Sequence, residues 1–199
     1  MNEKVLLIFI RNPELGKVKT RLAATVGDKN ALKIYEVLLD YTKVITQDLP
    51  CRKVLYYADK VTEKDNWPNE IYSKALQPEG DLGIKMQTAF AEVFQEGAEQ
   101  VVLIGSDCYE LTSDILNEAF ERLKTKDTVI GPAADGGYYL LGFSRPNHSV
   151  FQNKNWSTST VFLDTVNDLE SHGFSWSALP VLNDVDEEKD LGELRKLIT

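Results

Sequence analysis

Hydrophobic residues are distributed along the chain in two alternating patterns, short continuous runs and segments of helical spacing. The runs at residues 5–10 and 101–104 contain no polar position, which is typical of strands buried on both faces of a sheet. Shorter runs at 54–57 and 128–130, and a strand-like stretch at 176–182, predict further strands. Strands that alternate with amphipathic helices indicate an α/β fold, in which helices cover both faces of a central sheet.

Apolar residues recur at helical spacing between these runs, and each set predicts a helix with one buried face. The three clearest sets are Ile34, Tyr35, Leu38 and Ile45; Met86, Ala89, Phe90 and Val93; and Ile115, Leu116, Ala119, Phe120 and Leu123. Residues 112–114 and 157–159 supply N-cap oxygens before the third helix and before a fourth one. A last helix is predicted after Asp186, and its apolar side is formed by Leu191, Leu194 and Ile198.

The composition narrows the kind of partner. The 199 residues include 22 Lys and Arg against 31 Asp and Glu, a net charge of −9, and this balance argues against nucleic-acid polymers and anionic membranes. No apolar run is long enough for a signal-peptide core or a membrane span. Two cysteines are too few for a disulfide scaffold, which predicts a cytoplasmic location. No repeat or linker interrupts the chain, so we expect one domain over residues 1–199.

The loop after the first predicted strand is basic although the chain as a whole is acidic. Arg11, Lys17, Lys19 and Arg21 stand against the single carboxylate of Glu14. Ammonium and forked guanidinium groups beside backbone amides suit a polyphosphate, whose charge is spread over several oxygens. The loop lacks the upstream glycine of a Walker A motif. The alternative interpretation is a solvated basic loop without a ligand.

Two acidic segments near predicted strand ends contain candidate metal ligands. Asp107 follows the second buried run, and an aspartate at the carboxyl end of a central strand suits a hard divalent cation. A turn or cap is the alternative role. Asp184 and Asp186 lie before the predicted last helix, and either one could complete the site if folding brought it to Asp107. Glu187 and Glu188 need no such role, because carboxylates favour the first turn of a helix.

The segment Asp135-Gly136-Gly137 separates two strand-like runs and has two interpretations. Asp-Gly between apolar runs favours a β-hairpin turn, which needs no ligand. In the functional interpretation, the two glycines let the backbone approach a base, a sugar or an acceptor closely.

Six segments, taken in their order along the chain, resemble one protein family. They are KVKTRL at 17–22, QPEGDLG at 77–83, GSD at 105–107, DGGYYLLG at 135–142, WST at 156–158 and DEEKDL at 186–191. The chain resembles the bacterial glycosyltransferase-A-like family DUF2064, part of which is associated with arsenosugar biosynthesis. This family lies within the nucleotide-diphospho-sugar transferase (GT-A) superfamily. Molybdenum-cofactor guanylyltransferase and phospholactate guanylyltransferase are similar in plan.

The resemblance implies a single-domain, three-layer α/β/α fold with a mainly parallel central sheet. It also implies that Lys19 and Arg21 contact donor phosphates, that Asp107 and Asp186 bind Mg²⁺ or Mn²⁺, and that Asp135 is a further catalytic candidate. The implied partners are a nucleotide or nucleotide-sugar donor and a small-molecule acceptor. The remaining expected nucleotide or substrate contacts are Arg11, Lys17, Gln77, Gly80, Asp81, Gly136, Gly137, Ser157 and Thr158.

Three functions are compatible with this resemblance. We favour metal-dependent nucleotidyl transfer from an NTP to a small phosphorylated acceptor, because the basic loop and the separated aspartates suit a triphosphate. Glycosyl transfer from a nucleotide sugar is the second, and Asp135 is then the available base. The third is a non-catalytic nucleotide-binding module. It rests on departures from the family pattern, since Tyr109 replaces a usual proline and Glu187 and Glu188 replace Thr-Pro.

Overall fold

Strands and helices alternate along the chain, as the hydrophobic pattern predicts. The computed structural model describes residues 3–152, 154–156 and 158–198. The strands are β1 (Lys4–Ile10), β2 (Arg52–Tyr57), β3 (Tyr72–Leu76), β4 (Gln100–Ile104), β5 (Thr128–Pro132), β6 (Tyr138–Phe143) and β7 (Trp176–Ala178). The α-helices are α1 (Thr20–Val26), α2 (Asp28–Thr46), α3 (Leu82–Gln95), α4 (Ser113–Arg122) and α5 (Val161–Ser171). Short 3₁₀ turns cover Ser149–Phe151, Glu188–Asp190 and Gly192–Leu197.

The seven strands of the described residues form one sheet, in the order β3-β2-β1-β4-β6-β5-β7. The strand β6 runs antiparallel to its neighbours β4 and β5, and every other neighbouring pair is parallel. The expectation of a mainly parallel central sheet is therefore confirmed. Strands β1 and β4 lie side by side, with Leu7 opposite Leu103, so the loops that follow these two strands leave the same edge of the sheet.

Helices cover both faces of this sheet. Successive residues of β1 point to opposite faces. On one face, Ile8 belongs to a buried core that includes residues of α2 and α4, such as Leu39 and Leu116. On the other face, Leu7 belongs to a core that includes residues of α3 and α5, such as Phe90 and Leu169. The three-layer α/β/α architecture is therefore confirmed.

A third, smaller core joins the two ends of the chain. Leu22 of α1 and Ile34 of α2 are buried with Val185 and Leu194 from the C-terminal segment. Burial of each such aliphatic side chain contributes roughly 1.5–3 kcal/mol. This core therefore holds α1 and the C-terminal segment on α2, and it brings the residues that flank Leu22 and Val185 to the same region.

The last helix predicted after Asp186 is wrong. The structure has two 3₁₀ turns there, and Gly192, which begins the second turn, has a left-handed φ of +48°. Leu191 and Leu194 are buried as predicted, because a spacing of three residues places side chains on one side of a 3₁₀ turn as well. The apolar pattern therefore identified the buried side but not the type of helix.

The predicted caps of the fourth helix and the strand before the C-terminal segment also need correction. Helix α5 begins after Thr160, and that residue makes no side-chain cap hydrogen bond. Thr158 instead donates its hydroxyl to the carbonyl of Asn155 at 2.9 Å. The strand predicted for 176–182 ends at Ala178. The helix α1 and the strand β3 were not predicted.

No helix of the described ranges has the length and apolar character needed to cross a membrane.

Asp127, which directly precedes β5, links that strand to residues next to β6 and β7 through hydrogen bonds of its carboxylate. Its Oδ1 accepts a hydrogen bond from Nε of Arg145, after β6, at 2.7 Å. Its Oδ2 accepts hydrogen bonds from the backbone N–H and the hydroxyl of Ser175, before β7, both at 2.8 Å. The bond from Arg145 is the main reason why the pKa of Asp127 is lowered to about 2.

We expect Asp127→Asn to reduce the free energy of unfolding at pH 7 by about 1 kcal/mol, since solvent screening weakens a partly exposed ion pair. The folded-state pKa is depressed, so the contribution of Asp127 is present above the pKa of the unfolded chain. It is lost as the pH falls from about 4 towards 2. Urea unfolding of both proteins at pH 7, 4 and 3 measures the difference, which should shrink on acidification. A difference that is independent of pH would contradict this assignment.

Candidate functional site

A cavity of about 720 Å³ opens at the edge of the sheet where β1 and β4 end. Its polar lining includes residues 17–21 after β1, 105–108 after β4, and the aspartates Asp184 and Asp186. Ligand sites of open α/β sheets lie at the carboxyl ends of the strands, so this is the expected place for a site. The cavity brings together the basic loop and the acidic positions that the sequence singled out.

Lys19 lies between two aspartates of the cavity. Its Nζ is 2.7 Å from Oδ1 of Asp107 and 3.1 Å from Oδ1 of Asp186, and its side chain is only 5% exposed. Nη1 of Arg21 lies 3.4 Å from Oδ2 of Asp186. The fold therefore brings four residues from distant parts of the sequence close together, namely Lys19, Arg21, Asp107 and Asp186.

Local contacts explain why Asp186 reaches Asp107. The backbone N–H of Val185 donates to the carbonyl of Asp107 at 2.9 Å, and that of Asn183 donates to Oε2 of Glu110 at 2.8 Å. Val185 is also buried in the third core described above. The C-terminal segment is thus attached to the loop after β4 on both sides of Asp184, and Asp186 follows at once.

The backbone of Lys19 is in the left-handed region, with φ 48° and ψ 45°. It is the one residue other than glycine with a positive φ in the ranges that the structure describes. This conformation costs a non-glycine residue roughly 1–2 kcal/mol, and such residues persist where the surrounding contacts hold them. The two ion pairs of the ammonium group and the start of α1 directly after Lys19 supply those contacts.

The ammonium of Lys19 is buried against carboxylates that are only partly buried, since the side chains of Asp107 and Asp186 are 44% and 34% exposed. Burial alone would lower the pKa of Lys19, but Asp107 and Asp186 outweigh burial, so the pKa of Lys19 is raised and its ammonium stays charged. Burial, and then the charge of Asp107, raise the pKa of Asp184 to about 7, although Lys19 acts in the opposite direction. Asp184 gives up its proton only near neutral pH because burial and the neighbouring aspartates disfavour a further negative charge, so additional positive charge would be favourable here.

The donor atoms fit a hard divalent cation. Asp107 and Asp186 both direct a carboxylate oxygen to one point, and in this structure the ammonium of Lys19 supplies the positive charge there. Among the residues in the described ranges, no group of three or more His, Cys, Asp or Glu side chains could hold a metal by itself. Mg²⁺ commonly binds through one or two carboxylates and takes phosphate and water for its other positions. The pair therefore suits a metal that arrives with a phosphate ligand.

Three other predicted contacts line the same cavity. Arg11 and Lys17 do so from the basic loop, although Lys17 also pairs with Glu14 at 2.7 Å. Gln77 donates its amide to the carbonyl of Ile10 at 3.1 Å. This bond attaches the segment after β3 to the end of β1.

Three predicted contacts, Gly80, Asp81 and Thr158, do not line the cavity. Asp81 is the N-cap of α3, and its Oδ1 accepts from the backbone N–H of Ile84 at 2.9 Å. Gly80 has a φ of +120°, and a Cβ there would meet the Ile84 side chain at 2.8 Å. Both residues thus have structural reasons for their identity. Thr158 also lies away from the cavity, and Ser157 is outside the described residues.

Asp135, Gly136 and Gly137 form the turn between the antiparallel strands β5 and β6, as the hairpin interpretation predicts. Oδ1 of Asp135 accepts from the backbone N–H of Gly137 at 2.9 Å. A Cβ on Gly136 would lie 2.0 Å from the carbonyl oxygen of Ser159, so close packing requires glycine there. None of the three lines the cavity, although Asp135 is near enough to contribute to the raised pKa of Asp184. Their roles in binding or catalysis stay predictions.

Sequence reasoning missed several polar residues of the cavity lining, among them Lys85, Tyr35 and Asp59, and left Asp184 undecided. Lys85 of α3 is a fifth cation of the lining, and its Nζ donates to Oε1 of Gln77 at 3.4 Å. Tyr35 of α2 lines the cavity as well, but its apolar spacing identified it only as a core residue. Asp184 was indistinguishable from Asp186 by sequence. A polar residue in the first turns of a helix that follows a strand is the one signal that would have indicated Lys85.

Comparison with solved structures identifies the class of fold. The inositol-1-phosphate CTP transferase from T. maritima is 9% identical, with a TM-score of 0.60 over 99% of this chain and 95% of that one. Rv0371C from Mycobacterium tuberculosis H37Rv, in complex with manganese, is 14% identical, with a TM-score of 0.57 over 98% and 99%. The fold is that of the nucleotide-diphospho-sugar transferases.

Sequence similarity then identifies the family. A protein from Desulfovibrio desulfuricans G20, provisionally named a nucleotide-diphospho-sugar transferase, is 32% identical, with a TM-score of 0.87 over 99% of this chain and 88% of that one. The profile of DUF2064, described as uncharacterized proteins conserved in bacteria, matches residues 41–158. The chain belongs to this family, which confirms the resemblance noted from its motifs. No curated protein matches the chain in sequence. Asp107 lies inside the matched segment, whereas Lys19, Arg21 and Asp186 lie outside it.

Proposed function

We propose that this protein is a metal-dependent transferase that uses a nucleotide donor and transfers a nucleotidyl group from an NTP to a small phosphorylated acceptor. The observation that carries the proposal is the ammonium of Lys19 held between Asp107 and Asp186 at the wall of a cavity large enough for a nucleotide. Pockets for small molecules and cofactors typically measure about 300–1,000 Å³.

The roles of the residues follow from their charge and position. Asp107 and Asp186 would hold Mg²⁺ or Mn²⁺. When bound, such an ion neutralises and orients the phosphate oxygens of the donor. Lys19 and Arg21 stabilise the negative charge that develops on the departing group. Arg11, the first residue of the basic loop, extends this positive lining. Fixed charges of this kind supply much of the catalysis in phosphoryl chemistry.

The proposed reaction needs no general base. An oxygen of the acceptor phosphate attacks the α-phosphorus of the NTP, the bond from that phosphorus to the bridging oxygen of the β-phosphate breaks, and pyrophosphate leaves with the bonding electrons. The attacking phosphate is already ionised at neutral pH. No histidine contributes to the cavity lining within the described parts of the chain. His148 and His172 bond instead to Gln87 and to the carbonyl of Asp168.

The names of two of the solved structures agree with this choice. The T. maritima protein is named for CTP and for a phosphorylated acceptor, inositol 1-phosphate, and Rv0371C was solved with manganese. Glu187 and Glu188, which depart from the family pattern, leave the ion pairs of Asp186 with Lys19 and Arg21 in place. This geometry argues against a degenerate, non-catalytic site.

Glycosyl transfer is the second candidate. The provisional name of the D. desulfuricans protein, at 32% identity, favours it. Inverting transfer to an acceptor hydroxyl would use a base, and the sequence offers Asp135. Asp135 lies in an exposed hairpin turn outside the cavity lining, and this position makes that role less suitable.

Thermal unfolding with a panel of ligands tests the proposal. CTP, GTP, UTP, ATP, UDP-glucose and GDP-mannose are each added with and without Mn²⁺. A ligand at 100 times its Kd adds about 2.7 kcal/mol of stability. We expect an NTP with Mn²⁺ to raise the Tm most. A preference for a nucleotide sugar over every NTP would favour glycosyl transfer, and the lack of any metal-dependent shift would contradict both enzyme functions.

A further inference from the structure

The hydroxyl of Tyr35 is a junction between two loops of the site. It accepts a hydrogen bond from the backbone N–H of Arg11 at 2.8 Å and donates to the carbonyl of Arg11 at 3.1 Å. The hydroxyl of Ser106 lies 3.3 Å away and can donate to it, since the proton of Tyr35 is already directed at Arg11. Tyr35 and Ser106 are 2% and 4% exposed. These hydrogen bonds are therefore well shielded from water.

The two loops joined in this way carry the two kinds of charge in the site. Arg11 begins the basic loop after β1, and Ser106 directly precedes Asp107 in the loop after β4. The ring of Tyr35 is buried in the core formed by α2, α4 and the sheet, so the hydroxyl is presented from a 19-residue helix that is itself held firmly. Both loops bond to the same hydroxyl, so a displacement of either loop relative to the other would break a hydrogen bond to Tyr35.

We infer that Tyr35 is a positioning residue that fixes the phosphate-binding loop relative to the metal-binding aspartate Asp107, so that metal and nucleotide bind cooperatively. The inference rests on the function proposed above and adds a residue that the motifs do not contain. Burial, and then the charge of Asp107, raise the pKa of Tyr35 to about 12, so its hydroxyl keeps the proton that it donates to Arg11.

Tyr35→Phe removes the hydroxyl and keeps the buried ring. The N–H of Arg11 and the hydroxyl of Ser106 then lose a partner, and both loops gain freedom. Loss of a residue that orients metal ligands commonly lowers metal affinity by about 10- to 100-fold. We expect the affinity for CTP or GTP to fall by about this factor in the presence of Mn²⁺, and to change much less in its absence.

Tyr72→Phe is the matched control. Tyr72 is also almost completely buried, and its hydroxyl lies 2.8 Å from Oγ1 of Thr46 and donates to the carbonyl of Lys43 at 3.2 Å. Its partners are at the C-terminal end of α2, outside the cavity lining. Both variants lose a buried hydroxyl, so both should lose stability, but only Tyr35→Phe should alter the site.

Two measurements on the parent and both variants test the inference. Calorimetric titration with CTP and with GTP, each with and without Mn²⁺, gives the factor by which metal strengthens nucleotide binding. Hydrogen exchange without ligand follows the backbone amides of residues 11 and 106–108. We expect Tyr35→Phe to reduce that factor and to speed exchange in both loops, with neither effect in Tyr72→Phe.

The inference is overturned if the two variants behave alike, or if only one loop exchanges faster in Tyr35→Phe. Failure of the proposed function looks different, because the parent protein itself would then show no metal-dependent nucleotide binding. Hydrogen exchange would still test whether Tyr35 joins the two loops, and unchanged exchange in either loop of Tyr35→Phe would refute that link. The double variant Tyr35→Phe with Ser106→Ala should add little to the effect of Tyr35→Phe, because both changes break the same link.

Discussion

The variant Asp107→Asn is expected to transfer the nucleotidyl group about 10³-fold more slowly than the parent protein at the same Mn²⁺ concentration. Metal stabilisation of developing phosphate charge is worth several kcal/mol, and each 1.36 kcal/mol is a factor of ten in rate. Asparagine keeps the size of the side chain but removes the charge that attracts the cation. The side chain of Asp107 is 44% exposed, so the fold should tolerate the change. Pyrophosphate release measures the rate.

Asp59→Asn is the control for this variant. Asp59 lines the same cavity from the segment after β2, but it forms no ion pair with Lys19. Its substitution also removes one negative charge, so it measures how a general change in the electrostatic potential of the cavity affects the rate. The assignment of Asp107 would be contradicted if Asp107→Asn kept a rate within tenfold of the parent, or if Asp59→Asn slowed the reaction equally.

Lys19→Met is expected to lower the rate of transfer and to raise the affinity for Mn²⁺ alone. Loss of the positive charge from the departing group should lower kcat by about 10²- to 10³-fold, as when a preorganised donor is removed from a charged transition state. The same change frees Asp107 and Asp186 from the ammonium that lies between them. Mn²⁺ alone should therefore bind at least about tenfold more tightly, since unit charges about 4 Å apart interact by about 1–4 kcal/mol near a protein surface.

Lys154→Met separates this effect from the general loss of a buried lysine. The side chain of Lys154 is 1% exposed and pairs with Oδ2 of Asp168 at 2.8 Å, outside the cavity lining. It should reduce stability without changing Mn²⁺ affinity. The interpretation of Lys19 fails if Lys19→Met binds Mn²⁺ alone no more tightly than the parent protein, as determined from the electron paramagnetic resonance of free Mn²⁺.

The fold was largely predictable because its central strands are continuous apolar runs. The runs at 5–10 and 101–104 became β1 and β4, whose burial on both faces leaves no polar position to obscure the pattern. The last helix was mispredicted because a spacing of three residues between Leu191 and Leu194 suits a 3₁₀ turn as well as an α-helix. Hydrophobic pattern reports which side is buried more reliably than how the backbone turns.

The candidate site was predictable where charge and strand ends coincide. Lys19 and Asp107 follow buried strands, and the loops after neighbouring parallel strands lie at the same edge of the sheet. The pairing with Asp186 came from the family resemblance, because no local pattern separates Asp186 from Asp184. Tyr35 could not be found in this way. Its spacing is that of a core residue, and only the folded structure shows that its hydroxyl reaches Arg11 and Ser106.

The central claim is that Asp107, Asp186 and Lys19 form one site for a metal-bound nucleotide phosphate. The most direct measurement is titration of Mn²⁺ into the parent protein and into Asp186→Asn, with and without the NTP that stabilises the parent most, while free Mn²⁺ is followed by electron paramagnetic resonance. We predict one Mn²⁺ bound per chain in the presence of the NTP, with an affinity that falls at least about tenfold in Asp186→Asn. Equal Mn²⁺ affinity in the two proteins, or binding that does not depend on the NTP, would contradict the claim.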